Sequence, residues 1–144
     1  MIAQPKASDQ IRSFARRWAP ELEADGHTQI SIYFLENYHR LKPYPLTHSE
    51  AMFVIHLMQY KWDERSPYPG YKTIAQRMGV ATKSARRYAQ SLQQKKCLHR
   101  EVRIGQTNLF DLAPLMKALV AHKAQASPKK PRRKESGVKK KSSA

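Results

Sequence analysis

The sequence predicts a mainly α-helical fold with one small β-hairpin in its C-terminal half. Thr47 and Glu50 have the Thr-x-x-Glu spacing of a capping box, which marks the start of a helix. Gly79 separates two further segments with helical spacing, and glycine suits the left-handed residue at which a helix ends. Residues 98–104 then alternate as the two faces of a β-strand do.

The N-terminal part of the chain is predicted to hold one helix and a connector. Residues 8–19 follow Ser8, a plausible cap, and carry one helical stripe formed by Ile11, Phe14, Ala15 and Trp18. Residues 21–26 form a polar connector. Residues 28–41 begin like a strand and continue like a helix, and we favour a short helix from about Ile32.

Three helices are predicted in the middle of the chain. Residues 47–62 carry apolar side chains on more than one side, which indicates a central buried helix, and residues 63–70 form a loop. Residues 71–79 form a short helix and residues 82–96 a longer one, with Thr82 as its cap. The inward residues are Ile74, Ala75 and Met78 in the first and Ala85, Ala89 and Leu92 in the second.

A hairpin and a last helix complete the predicted elements. Gly105 and Gln106 supply the hairpin turn, and residues 107–112 form the returning strand. Residues 114–122 form the last helix, with Pro114 in its first turn. The order of short helix, tight turn, second helix and hairpin is the plan of a winged helix-turn-helix.

In that plan the second helix enters the major groove of DNA through its N-terminal half. Its outward residues would be Thr82, Lys83, Ser84, Arg86, Arg87 and Gln90. Arginine and glutamine can read base edges, and hydroxyls can bind phosphates. The alternative is an ordinary solvated helix face. Against it, residues 71–100 hold eight Lys or Arg and no Asp or Glu, whereas a neutral face would normally mix both signs.

The hairpin offers further candidate contacts with the DNA backbone or minor groove. They are Arg100, Arg103, Gln106 and also Thr107, and Lys72 on the preceding short helix joins them. An ordinary hairpin with a charged outer face is an equally weighted alternative.

The chain divides into an N-terminal helix and connector (1–27), a winged helix-turn-helix domain (28–122) and a disordered basic tail (123–144). From residue 127 onward the tail holds eight Lys or Arg, one Glu and one aliphatic residue, too little apolar surface to fold. Tail cations expected to add non-specific affinity are Lys129, Lys130, Arg132 and Arg133. The tail could instead bind RNA or acidic surfaces.

The formal charge of +16, from 27 Lys and Arg against 11 Asp and Glu, predicts a polyanion partner. Nucleic acid is the main option and an anionic membrane surface the minor one. No apolar run approaches the roughly 18 residues of a membrane span, and no signal-peptide stretch is present. Cys97, the single cysteine, has no internal disulfide partner. We therefore expect a cytoplasmic, nucleoid-associated protein.

Three stretches resemble the winged-helix domains of bacterial plasmid and phage replication-initiation proteins and related helix-turn-helix regulators. They are LTHSEAMFVIHLMQYKW, TIAQRMGVATKSARRYAQSLQQKKCL and GQTNLFDLAPL, within residues 45–118. Two positions depart from the family pattern. Lys96 stands where Gly usually ends the recognition helix, which implies a strained or extended residue there. Ala85 replaces the usual Val, which implies a thinner core under that helix.

The resemblance implies a protein that binds duplex DNA with some sequence preference. The implied role is that of a replication initiator or accessory factor of a plasmid or phage. A transcriptional regulator is the first alternative, and a protein-interaction adaptor is the second. A homodimer is an open possibility, and Phe14 and Trp18 would be candidates for its contact or for packing on the body.

No sequence motif supports an enzyme. The chain lacks a Walker-type loop, His-Glu-x-x-His and paired cysteines for zinc, and we expect no cofactor, metal or small-molecule ligand. His48 and His56 are two helical turns apart, which is too far to hold one metal ion alone. We interpret His56 as partly buried and Cys97 as a packing residue.

Overall fold

The computed structural model describes Phe14, residues 16–60 and residues 69–126. The fold is mainly α-helical with one two-stranded antiparallel hairpin, as the sequence predicts. In chain order the elements are α1 (Pro20–Glu23), α2 (Ile32–Asn37), a 3-10 turn (Tyr38–Arg40), α3 (His48–Met58), α4 (Tyr71–Met78), α5 (Thr82–Gln94), β1 (His99–Glu101), β2 (Leu109–Asp111) and α6 (Ala113–Ala126). Most of the predicted 8–19 helix and 63–70 loop lies outside the described residues, as does the tail from 127 onward.

Helix α3 begins with the predicted capping box. The Thr47 side chain accepts a hydrogen bond from the Glu50 N–H at 3.1 Å, and the Glu50 carboxylate accepts one from the Thr47 N–H at 2.9 Å. This helix is central, because it buries Ala51, Phe53, Val54 and Leu57 against the surrounding elements. It ends at Met58, earlier than residue 62.

The turn between α4 and α5 confirms one predicted residue and corrects another. Gly79 ends α4 in the left-handed conformation, with φ of 73°. Thr82 is not the cap of α5, because Ala81 occupies that position and no side chain caps it. The carbonyl of Ala81 accepts hydrogen bonds from the N–H groups of Ser84 and Ala85. Thr82 is therefore the first residue of the helix rather than the cap before it.

The core lies where α3, α4 and α5 meet, covered by the hairpin and α6. Ala85, Ala89 and Leu92 of α5 are fully buried, as predicted. Small alanines let α5 approach α3 and α4 closely, and Phe53 and Phe110 fill the space beside them with an edge-to-face contact at 6.1 Å between ring centroids.

The hairpin is shorter than the sequence suggests. β1 and β2 pair over three residues each, with Arg100 opposite Phe110, and the loop between them runs over residues 102–108. Val102 and Ile104 are 65% and 97% exposed, because the loop extends beyond the layer that could bury them. The alternating pattern therefore predicted both strands to be longer than they are. The predicted turn at Gly105 is present, with φ of 73°.

Two helices differ from the sequence-based prediction. The connector at 21–26 contains the short helix α1, which Pro20 starts and which carries Glu21 and Glu23 in its first turn, where negative charge is favourable. Helix α6 runs from Ala113 through Ala126 rather than over 114–122, so it continues into the predicted tail. Its start is stabilised by the Asp111 carboxylate, which accepts a hydrogen bond from the Ala113 N–H at 2.9 Å.

Candidate nucleic-acid interface

Helix α5 presents one exposed polar stripe opposite its buried alanines. Lys83, Arg87, Gln90 and Gln94 follow at spacings of four, three and four residues, and all are exposed. Residues at that spacing lie above one another on one helix face. The outward positions predicted for Lys83, Arg87 and Gln90 agree with this arrangement, and Gln94 extends the stripe beyond the predicted set.

The exposed cations of this stripe have no carboxylate partner among the residues that the structure describes. Within the described ranges, neither Lys83 nor Arg87 takes part in an ion pair. Asp and Glu are also absent from residues 71–100. The two side chains therefore stand in solvent as unneutralised positive charges, which is the electrostatic arrangement a phosphate backbone would meet favourably.

One of the eight cations of residues 71–100 is compensated from elsewhere in the fold. The Lys95 Nζ lies 2.6 Å from the Glu50 carboxylate of α3 and also donates to the Pro45 carbonyl at 2.8 Å. Ser91 donates to the same carboxylate. Lys95 therefore joins α5 to α3, and the uncompensated charge of this segment is smaller than its sequence alone suggests.

Burial by itself would raise the pKa of the Glu50 carboxyl group, yet its pKa lies below the ordinary value. Hydrogen bonds from Lys95, Ser91 and the Thr47 N–H, together with the charge of Lys95, outweigh the cost of desolvation. Glu50 is thus an ionised structural residue inside the fold rather than a free acid near the candidate interface.

Arg86 and Arg100 converge on a residue that the sequence did not single out. The Cζ atom of Arg86 lies 5.6 Å from the centroid of the Tyr71 ring, within cation–π range. The Arg100 Nη1 donates to the Tyr71 hydroxyl at 3.3 Å. Tyr71 stands three residues before the inward Ile74, so its spacing placed it on the core side of α4. Its contact with two arginines depends on tertiary proximity that no local pattern reveals.

The remaining candidates take several positions. Thr82 and Ser84 are half-buried at the start of α5, Lys72 is exposed on α4, and Gln106 is exposed in the hairpin loop. Arg103 donates to the Thr107 carbonyl at 2.8 Å and lies 3.4 Å from its hydroxyl, so it also braces that loop. The tail candidates Lys129, Lys130, Arg132 and Arg133 lie outside the described residues.

Two titratable groups behave as packing residues. Burial, and then the charge of Arg77, lowers the pKa of His56, which is half-buried as predicted. Burial raises the pKa of the Cys97 thiol, Lys95 partly opposes that change, and Glu50 adds to it.

Among the described residues, no group of His, Cys, Asp or Glu side chains could hold a metal ion. The described helices also include none with the length and apolar character of a membrane span.

Comparison with known proteins relates this fold to one family. Residues 30–130 match the family model described as the DnaD N-terminal domain. The crystal structure of the N-terminal domain of DnaD protein from Geobacillus kaustophilus HTA426 is similar, with a TM-score of 0.58 and 21% identity. That similarity covers 78% of this chain and 93% of the other, and it shows a shared fold. No match was found among curated proteins.

Proposed function

Because the chain belongs to the DnaD N-terminal domain family, we propose that it is a replication-associated protein that binds duplex DNA through a winged helix-turn-helix. The observation that carries this proposal is the exposed stripe of α5, whose Lys83 and Arg87 form no ion pair in the described part of the chain. The family links the chain to the initiation of replication, as the motif resemblance also does. A role in a plasmid or phage is a narrower form of the same proposal.

In the proposed complex α5 lies in the major groove. Arg87 can pair with two acceptor atoms of a guanine or hold a phosphate, and Gln90 can read an adenine edge. Lys83, in the first turn of α5, and Lys72 on α4 would contact the phosphate backbone and set the orientation. The hairpin loop with Gln106 would follow the neighbouring strand. Base contacts by α5 would give sequence preference, and the cations would give most of the affinity.

Charge reversal on the stripe tests this proposal. We expect the double change Lys83→Glu and Arg87→Glu to reduce duplex affinity at least a hundredfold, because two attractive phosphate contacts become repulsive. Fluorescence anisotropy with a labelled duplex measures the affinity, and circular dichroism checks folding. A matched control, Lys117→Glu with Lys123→Glu, makes the same change in net charge on α6. Equal loss of affinity in both double variants would contradict binding through α5.

The replication role is tested by the position of the binding sites. Selection of bound fragments from genomic duplexes at two salt concentrations should enrich repeated sites at a replication origin. A transcriptional regulator would instead enrich promoter fragments. The two salt concentrations separate sequence-preferring binding from the electrostatic binding that any basic protein shows.

A second candidate function is that of a protein-interaction module. Ile32 and Leu35 on α2 and Val120 on α6 are exposed apolar side chains, Trp18 is 70% exposed, and none of them belongs to α5. Such side chains favour contact with a protein, including a second copy of this chain. Sedimentation measurements on the wild type and on the α5 charge-reversal variant separate the two functions, since self-association through α2 and α6 would survive that change.

A further inference from the structure

Tyr71 of α4 contacts residues of three other elements of the fold. It opens α4, its ring packs edge-on against Phe110 of β2 at 5.7 Å between centroids, and its ring face lies next to Arg86 of α5. Its hydroxyl accepts a hydrogen bond from Arg100 of β1. One aromatic side chain thereby fixes two guanidinium groups, one over its ring and one at its hydroxyl.

Arg100 of β1 is partly enclosed by the fold. It lies opposite Phe110 in the strand pair, is half-buried, and its Nε is fully buried without a hydrogen-bond partner in the described structure. The buried Nε carries a desolvation cost, and a guanidinium has two further nitrogens with which it can donate to an acceptor outside the fold. The hydrogen bond from its Nη1 to the Tyr71 hydroxyl holds the outer end of the side chain.

The two arginines carry like charges toward one ring without an acid between them. Across the described ranges, neither Arg86 nor Arg100 forms an ion pair with a carboxylate. Two such charges repel each other, and the repulsion is removed when one anion binds between them. The two arginines are therefore more favourably placed with an anion bound between them than without one.

We propose that Tyr71 is a positioning residue that presents Arg86 and Arg100 together to one phosphate of the DNA backbone, at the junction between α5 and the hairpin. This proposal rests on the proposed function. The flat, forked guanidinium groups fit the tetrahedral oxygens of a phosphate, which can accept from both at once. A phosphate of the strand that passes from α5 to the hairpin would accept from the terminal nitrogens of the Arg100 guanidinium, not from its buried Nε.

The change Tyr71→Phe tests the positioning role with little change in shape. It removes the hydroxyl that orients Arg100 and keeps the ring that packs on Phe110 and Arg86. We expect duplex affinity of the full chain to fall about three- to tenfold, the range set by the net contribution of one ordinary hydrogen bond. We also expect the slope of log affinity against log salt to become shallower by about one, the signature of one lost phosphate contact.

A matched control and a double-variant cycle make the test specific. Tyr33→Phe also removes a hydroxyl that hydrogen-bonds another side chain, His122, but it lies on α2 and should change neither affinity nor slope. In a chain that already carries Arg100→Met, Tyr71→Phe should cause no further loss, because Tyr71 acts through Arg100. Thermal melting of each variant measures its folding separately.

The outcomes distinguish this proposal from the function on which it rests. If the wild type binds duplex and loses binding on charge reversal of Lys83 and Arg87, but Tyr71→Phe keeps the wild-type affinity and slope, only the phosphate contact is overturned. Independent losses from Tyr71→Phe and Arg100→Met would also overturn it. A wild type that does not bind duplex at all would overturn both proposals.

Discussion

At the scale of single residues, Lys96 shows how the end of α5 departs from the usual pattern. Lys96 has φ of 61°, the left-handed region that favours glycine. The Lys96 N–H bonds to the Gln93 carbonyl at 3.0 Å and the Cys97 N–H to the Leu92 carbonyl at 2.9 Å. These two bonds form a Schellman motif, which requires the left-handed residue whatever its side chain. The strained residue expected from the sequence is therefore present.

We predict that Lys96→Gly stabilises the protein. Glycine removes a left-handed strain of about 1–2 kcal/mol, offset in part by its larger freedom in the unfolded chain, so the net gain should be up to about 1 kcal/mol. Urea denaturation measures this change in the free energy of unfolding. The matched change Gln94→Gly, two residues earlier inside the right-handed helix, should destabilise by about 1 kcal/mol. A destabilised Lys96→Gly variant would contradict the strain argument.

Local sequence signals predicted individual residues well where the cause was local. The Thr47 and Glu50 capping box and the left-handed Gly79 depend on neighbours within a few positions, so the sequence contained the whole interaction. Thr82 is not the cap because it is the first helical residue, and Ala81 before it holds the cap position without a side-chain hydrogen bond. Tyr71 could not be found, because its partners Arg86 and Arg100 follow it by 15 and 29 residues along the chain.

At the scale of elements, Glu50 joins the start of α3 to the end of α5. Its lowered pKa means that the folded state favours the ionised carboxylate. A group of this kind stabilises the fold above its unfolded pKa, about 4.3 for a glutamate, and the contribution is lost as pH falls through the lower folded pKa. The attachment of α5 to α3 should therefore weaken in acid.

We predict that Glu50→Gln lowers the free energy of unfolding at pH 7 by about 1–3 kcal/mol, since Lys95 and Ser91 lose a charged acceptor. The difference between the wild type and this variant should shrink as pH falls below about 4, because the wild-type carboxylate is then protonated too. Urea denaturation at pH 7 and pH 3 measures both effects. Glu36→Gln is the control, because Glu36 is exposed on α2, and the expected change is below about 0.5 kcal/mol at either pH. A gap that widens in acid would refute this account.

Element order was predictable from the sequence, but element length was not. The buried stripe of Ala85, Ala89 and Leu92 fixed the orientation of α5, and the outward face followed from it. The strands were overestimated because alternation continues into a loop that no second layer covers. The last turn of α6 was missed because residues 123–126 were assigned to the basic tail.

At the scale of the whole molecule, different helices of the described fold carry two kinds of exposed side chain. Helix α5 carries exposed cations without acids, while α2 and α6 carry exposed apolar side chains. The proposed DNA-binding surface and the proposed protein-binding surface therefore involve different helices of one domain. The sequence predicted the first through its charge, whereas the second depends on which side chains the packing leaves uncovered.

The most direct test of DNA binding by α5 is a map of the residues that a duplex contacts. Titration of the ¹⁵N-labelled full chain with a short duplex should shift the backbone amide signals of residues 82–94 and of the hairpin loop at 103–107. The amides of α2 and of the middle of α6 should stay unchanged. Shifts confined to α2 and α6, or a titration without any shift at low salt, would contradict the account.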